Sequence, residues 1–304
     1  MAEKVKKRVA VLGPGAIGGF LVGALTKAGC EVTLVARPGT ASQIAKNGLC
    51  LKTALLGDMV ARPQVVENLE STFDVIGIAT KANDLIPALS QIRAGIGEGT
   101  IIIPFLNGIE HIALLKKEFG KHVVVGMIGN IVAEKEREGC VVSSSTNVTI
   151  ELGSESISQR ALEEIADLFR PSGIVVSVEE TEAKVIWHKL ARLSVLAGIT
   201  AASGKTLGEL RKDSLWNSRL EECAREIAEV ARKDGVEISA DEILKQIETL
   251  PDSLTTSLAR DVERADAGEV DAILGAVIRR ADTYGIAHKT FDELFSLVRK
   301  RLES

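Results

Sequence analysis

From Arg8 to about Val178 the chain alternates short β-branched or aliphatic runs with stretches whose apolar positions repeat at helical spacing. The clearest strands are Val9 to Leu12, Glu31 to Ala36, Val75 to Ala79, Thr100 to Pro104 and Val123 to Met127. Such alternation predicts a parallel sheet with helices on both faces. Leu49 to Thr53 and Met59 to Val65 are expected to form a hairpin across Gly57. Cys140 to Ser145 and Asn147 to Leu152 are expected to add antiparallel strands at the sheet edge. Beyond Glu179 the strand signal stops. Helices are predicted over Glu182 to Ala201, Leu215 to Asp234, Ala240 to Leu250 and Val270 to Tyr284, with a terminal helix from Thr290. The expected fold class is α/β, a doubly wound, mostly parallel sheet followed by an all-helical C-terminal domain, with domains at 1–179 and 180–304.

Composition narrows the function classes. With 304 residues, 45% hydrophobic and 26% charged, the chain can bury a substantial core. A net charge of −5 and scattered Lys and Arg give no basic field, so no nucleic-acid partner is expected. Cys30, Cys50, Cys140 and Cys223 form no CxxC pair and have no His at zinc-ligand spacing. No metal site or disulfide framework is expected, and the cysteines read as small buried hydrophobes in a reducing cytosol. The charged start, Met1 to Lys7, leads directly into a short strand instead of the apolar core of a signal peptide. No stretch is judged to approach the roughly 18 to 20 apolar residues of a membrane span. The expectation is a soluble, cytoplasmic protein with no membrane partner, whose apolar C-terminal helices could support a homodimer.

The candidate chemistry begins at Gly13-Pro14-Gly15-Ala16-Ile17-Gly18, which follows a predicted strand and opens a predicted helix, Ala16 to Ala28. That context is what a dinucleotide-binding, Rossmann-type turn requires. Gly13 permits the tight turn, Gly15 lets the backbone approach a pyrophosphate, and Gly18 lets helix and strand pack closely. The helix N-terminus then offers free N–H groups to the phosphates. Sites that prefer NAD usually end the second strand on Asp or Glu, whereas this strand ends Leu34-Val35-Ala36-Arg37. A guanidinium suits the extra phosphate of NADP(H), which is therefore the expected cofactor. Thr80 and Lys81 follow the strand Val75 to Ala79, at the carboxyl end where ligands of such sheets bind.

With the glycine turn, Thr80-Lys81-Ala82, Leu106-Asn107-Gly108, Trp187-His188-Lys189-Leu190 and Glu269-Val270-Asp271 in this order, the whole chain resembles the ketopantoate reductases, or 2-dehydropantoate 2-reductases. The resemblance implies a Rossmann domain joined to a helical domain, an active site in the cleft between them, and reduction of 2-dehydropantoate to (R)-pantoate with NADPH, a step toward pantothenate and coenzyme A. It implies that Lys189 is the catalytic lysine donating to the carbonyl oxygen and that Glu269 pairs with it and contacts the nascent hydroxyl. By the same resemblance, Asn107 lies at the cofactor and substrate junction, Lys81 near the nicotinamide end, and Ser257 on the substrate carboxylate. The pattern fails at three places. The family usually has asparagines four and eight residues after the lysine and five after the glutamate, and this chain has Leu193, Ala197 and Leu274.

The residues are consistent with that chemistry. Hydride reduction of a ketone leaves an alkoxide, so the site needs a proton donor or positive charge at the oxygen, and a lysine supplies both. Leu193 and Ala197 share a helix face with Lys189 and should lower its pKa, whereas Glu269 would raise it again. Glu269 also reads as an acidic residue at a helix start. His188 is read as structural, since one residue along a helix turns the side chain about 100° away; Trp187 and Trp216 are read as packing residues. The leading reading is NADPH-dependent reduction of a 2-oxo acid, most simply 2-dehydropantoate. Two alternatives stand beside it: a divergent paralogue acting as reductase or dehydrogenase on a less polar 2-oxo or hydroxy acid, and a non-catalytic NADP-binding redox sensor.

Overall fold

The computed structural model describes residues 7–303. Among the described residues twelve strands are formed: β1 Val9–Leu12, β2 Val32–Val35, β3 Leu49–Thr53, β4 Gly57–Ala61, β5 Gln64–Val66, β6 Val75–Ile78, β7 Ile101–Pro104, β8 Val125–Gly129, β9 Ala133–Arg137, β10 Cys140–Ser143, β11 Thr149–Gly153 and β12 Val175–Val178. Helices α1 Ala16–Lys27, α2 Pro38–Asn47, α3 Leu85–Ala88, α4 Glu110–Phe119 and α5 Gln159–Phe169 lie among them. The remainder is helical: α6 Glu182–Ser203, α7 Leu207–Arg211, α8 Ser214–Lys233, α9 Ala240–Glu248, α10 Ser257–Glu263, α11 Ala276–Tyr284 and α12 Lys289–Leu302. A π-helical turn, Asp271–Gly275, leads into α11.

The chain divides into two compact units. The first runs to Leu106 and resumes over His111–Val185; the second comprises Asn107–Glu110 and continues from Ile186. In the first, five parallel strands stand in the order β5-β2-β1-β6-β7. β1, β2 and β6 are buried along their whole length, as expected of strands covered on both faces. Alternate residues of β1 feed opposite layers of core: Val9 and Val11 join the layer with α1, Ala10 and Leu12 the layer with Leu85, Leu89 and Leu115. The strand order reverses between β1 and β6, and the ends of those two strands carry the glycine turn and Thr80.

The later strands differ from the sequence-based expectation. Gly57 is already paired, with Thr53, so the hairpin turns at 54–56. β10 joins β3 in parallel and β9 antiparallel, giving a separate four-stranded sheet β4-β3-β10-β9. β11 lies between β8, antiparallel, and β12, parallel. Both are interior strands instead of edge additions, because their partners are distant in sequence and periodicity reports only which residues face inward. α1 runs between the five-stranded and four-stranded sheets: a Cβ on Gly19 would fall 2.6 Å from Val141, and one on Gly23 2.6 Å from Leu51. Its residues from Gly18 to Leu25 are all buried.

In the second unit α8 packs against α7, α9, α11 and α12. α6 is, by its 22 residues and mean hydropathy of 1.2 alone, sufficient to cross a membrane, which corrects the sequence-based reading that no stretch approaches a span. However, 78% of that window is buried within the protein, the condition of a core helix.

Candidate active site

The glycine turn is shaped by contacts that differ at each glycine. Gly13 adopts φ +101°, and a Cβ there would fall 2.9 Å from the Ala79 carbonyl oxygen. At Gly18 a Cβ would lie 1.8 Å from the carbonyl oxygen of Gly13, so helix and turn approach more closely than any side chain allows. Gly15 is different: its nearest neighbour would be the Ala79 oxygen at 3.8 Å, an ordinary contact. The protein itself makes no demand for glycine there, and the free approach fits a ligand. Gly15 is the N-cap of α1 and offers no capping side chain, and the first turn, which begins Ala16-Ile17, holds no acidic residue. The leading N–H groups could therefore receive an anion without a competing carboxylate. Pro14 fixes the turn's entry by its ring.

Thr80 is a further mark of fit. Its Oγ1 is buried without a hydrogen-bond partner, at the end of β6 and beside Gly13. Such a hydroxyl costs about 1–3 kcal/mol while unpaired, so a dinucleotide atom that bonds it would recover that loss. Lys81 follows it, exposed, as the N-cap of the short turn Ala82–Asp84. Arg37 sits at the N-cap of α2 with its side chain 73% exposed, and its Nη2 donates to Asp84 Oδ1 at 2.7 Å. A cofactor phosphate bound by Arg37 would share or displace that carboxylate.

In the second unit three predicted residues meet directly. Lys189 lies half-buried on α6, and its Nζ donates to Asn107 Oδ1 at 2.8 Å. Asn107 Nδ2 in turn donates to Glu269 Oε2 at 2.8 Å. The amide is thus oriented by chemistry: its oxygen must face the ammonium and its nitrogen the carboxylate. A lysine so held can present a proton and a positive charge at a fixed point, with a carboxylate one amide away.

The segment carrying Asn107 is seated by contacts that sequence reasoning did not identify. Gly108, at φ +95°, comes so close to the π-turn that a Cβ would fall 2.2 Å from the Ala272 carbonyl oxygen. Glu110 accepts from Arg279 Nε and Nη2 at 2.7 and 2.8 Å, and Arg279 also bonds the Asp271 carboxylate at 2.9 and 3.0 Å. Glu269 lies two residues before that π-turn, and its carbonyl accepts from Ile273 N–H at 2.9 Å. π-turns of this kind recur at functional sites. The glycine of Asn107-Gly108 was the only available signal; nothing in the local sequence marks Glu110, Arg279 or Asp84.

α6 is fixed in rotation by Trp187, fully buried, whose Nε1 donates to Asp234 at 2.9 Å; Arg280 bonds the same carboxylate. His188, next along, is exposed. Lys189, Leu193, Ala197 and Thr200 recur along one face of the helix. Ala197 and Leu274 are fully buried and Leu193 half-buried, and Leu274 packs at Gly198, where a Cβ would come within 3.1 Å of it. The far end of the stripe holds Thr256, whose hydroxyl is 2.7 Å from that of Thr200. Ser257 follows, exposed, as the first residue of α10. It is not one of the three directly bonded residues, and is placed next to the stripe through Thr256.

Comparison with known proteins decides the family. The model described as "Ketopantoate reductase PanE/ApbA" matches residues 9–156, and that described as "Ketopantoate reductase PanE/ApbA C terminal" matches residues 181–302. The chain belongs to the ketopantoate reductase family. Such a chain is an oxidoreductase acting on a CH–OH group with a nicotinamide dinucleotide. It is 27% identical to the uncharacterized oxidoreductase YkpB of Bacillus subtilis, over 94% of this chain and 96% of that one. It is also 27% identical to the 2-dehydropantoate 2-reductase of Pyrococcus abyssi, over 90% and 91%. Among solved structures it is similar to a D-mandelate dehydrogenase in complex with NADH, with 25% identity, a TM-score of 0.86 and coverage of 97% of this chain and 99% of that one.

Proposed function

We propose that this ketopantoate reductase family member reduces the ketone of a 2-oxo acid to the 2-hydroxy acid with NADPH, its substrate being 2-dehydropantoate and its product (R)-pantoate, on the way to pantothenate and coenzyme A in the cytoplasm. The observation that carries this reading is the bonded series Lys189–Asn107–Glu269. A sensor that only binds nucleotide has no use for an ammonium and a carboxylate oriented through one amide.

A nicotinamide dinucleotide, when bound, would supply the hydride. The chain's own residues do the rest. The glycine turn and the N-terminus of α1 would hold the diphosphate, Thr80 would offer it a hydroxyl, and Arg37, now paired with Asp84, would meet the 2′-phosphate. Lys189 Nζ donates a proton to the ketone oxygen as that oxygen gains charge. Asn107 keeps Nζ in place, Glu269 accepts from the new hydroxyl, Lys81 and Asn107 orient the reacting end, and Ser257 holds the carboxylate.

One observation favours a second substrate. Leu193, Ala197 and Leu274 line the stripe beside Lys189 with carbon, where the family usually has amides, and Ala197 and Leu274 are fully buried. A 2-oxo acid with an apolar side chain suits such a wall better than the hydroxymethyl of 2-dehydropantoate. The D-mandelate dehydrogenase among the structural relatives acts, by its name, on an acid of that kind. Following NADPH absorbance with 2-dehydropantoate and a panel of aliphatic and aromatic 2-oxo acids, with NADH in parallel, separates the readings. Turnover of 2-dehydropantoate is the expected result. Turnover confined to the apolar acids would transfer the assignment to them, and nucleotide binding without turnover of any acid would overturn both.

A further inference from the structure

Cys50 and Cys140 were read from sequence as unrelated buried thiols, but the four-stranded sheet brings them side by side. β3 and β10 run parallel with Cys50 directly opposite Cys140, and the Cys140 thiol donates to Cys50 Sγ at 2.7 Å. Opposite residues of neighbouring strands point their Cβ atoms to the same face. Strands spaced about 4.7–4.9 Å apart lie within the roughly 4.4–6.8 Å Cα separation that a disulfide spans. The pairing of β10 with β9 is irregular at Cys140/Val141, which gives this end of the strand room to adjust.

The two sulfurs differ in access. Cys140 is 1% exposed and Cys50 is half-buried. Burial, reinforced by the hydrogen bond to Cys50, pushes the Cys140 thiol up to about 11. Glu136 stands beside it, its Oε2 accepting from Cys140 Sγ at 3.5 Å and from Lys52 at 2.9 Å. The pair thus has an approachable sulfur, a protonated sulfur in contact with it, and a carboxylate on the second.

We propose that Cys50 and Cys140 are a redox modification site, closing to a reversible disulfide when the protein meets a peroxide. Cys50, having given its proton to solvent, attacks one peroxide oxygen as thiolate; the O–O bond breaks, Cys50 becomes a sulfenic acid, and the alkoxide or hydroxide leaves, taking a proton back from solvent to become alcohol or water. Cys140 sulfur then attacks Cys50 sulfur, the S–O bond breaks, and hydroxide leaves as water with the proton from Cys140, carried by Glu136. Each sulfur gives up one electron and the peroxide takes two. The consequence lies in the sheet that backs α1, where β3 and β10 supply Leu51 and Val141 to the gaps at Gly23 and Gly19. A bond there fastens segments 90 positions apart and should raise the melting temperature.

The test is to treat the purified full-length protein with hydrogen peroxide, near equimolar, and to measure intact mass, disulfide-mapped peptides and melting temperature before and after dithiothreitol. The expected product is lighter by two hydrogen atoms, maps to Cys50–Cys140, melts several degrees higher, and reverts on reduction. Cys50→Ser and Cys140→Ser should each abolish the cross-link, and Cys50→Ser, the less buried change, should keep the melting temperature of the reduced protein. Oxygen adducts without a cross-link, or a bond that maps to Cys30 or Cys223, would overturn the proposal.

Discussion

At Gly18 a methyl group would fall 1.8 Å from the Gly13 carbonyl oxygen, whereas at Gly15 the nearest atom would be 3.8 Å away. Two glycines of one turn are therefore held by different forces, one by the protein's own packing and the other by what the turn binds. Gly18→Ala is expected to destabilise the protein by about 3 kcal/mol or more, since neither backbone can yield. Gly15→Ala should leave the melting temperature close to that of the parent, yet weaken NADPH binding by about tenfold or more, equivalent to ~1.4 kcal/mol. Thermal unfolding together with fluorescence titration of NADPH checks both, and equal effects on stability at the two positions would contradict this division. The roles of Gly13 and Gly18 were readable in the sequence because they follow from the strand, turn and helix they join. The pairing of Arg37 with Asp84 was not, because it depends on which loop follows β6.

Among elements, those with long periodic patterns were legible, and those held by remote partners were not. α6, α8 and α12 fall close to their predicted ranges, and four of the five parallel strands, β1, β2, β6 and β7, are recognised, whereas β5 was read as the end of a hairpin strand and Val123 to Met127 contributes β8 to the three-stranded sheet, antiparallel to β11. β9, with sequence Ala-Glu-Lys-Glu-Arg and four exposed residues, carries no apolar alternation to read. α7 and α10, of five and seven residues, are too short for periodicity to declare them. The assignment of 107–110 to the helical unit was equally hidden, because Asn107 lies in the middle of the sheet-forming half of the sequence. What seats this segment is Arg279, which bonds both Glu110 and Asp271. Its side chain is 45% exposed and that of Glu110 56%, so the pair itself contributes little to stability, on the order of 1 kcal/mol or less. Its effect is on position. Arg279→Gln should lower kcat by about tenfold or more, because a displacement near 1 Å at a reacting group is costly, while melting temperature and NADPH affinity hold, and Arg279→Lys should restore part of the rate. An unchanged kcat, or a loss of rate that merely follows a loss of stability, would count against this role.

For the molecule as a whole, the order of chemistry along the chain was legible before its geometry. A glycine turn after the first strand, an asparagine following the fifth parallel strand and a lysine early in α6 could each be located, and the resemblance to one family gave them roles. The chain of bonds from ammonium to amide to carboxylate could not be foreseen, since the three residues come from segments far apart in sequence that meet in one unit. The replacement of the family's usual asparagines by Leu193, Ala197 and Leu274 was, by contrast, legible in the sequence, and the structure adds that Ala197 and Leu274 are fully buried.

In the function proposed, Lys189, held by Asn107 and Glu269, gives the proton in a reduction by NADPH. The most direct measurement is the single-turnover rate of NADPH oxidation at saturating 2-oxo acid, in the parent protein and in Lys189→Ala, with nucleotide affinity measured alongside. The rate should fall by about 10²- to 10⁴-fold, the usual contribution of a positioned acid, while NADPH binds as before. A variant that binds NADPH and oxidises it at the parent's rate would mean that Lys189 does not give the proton.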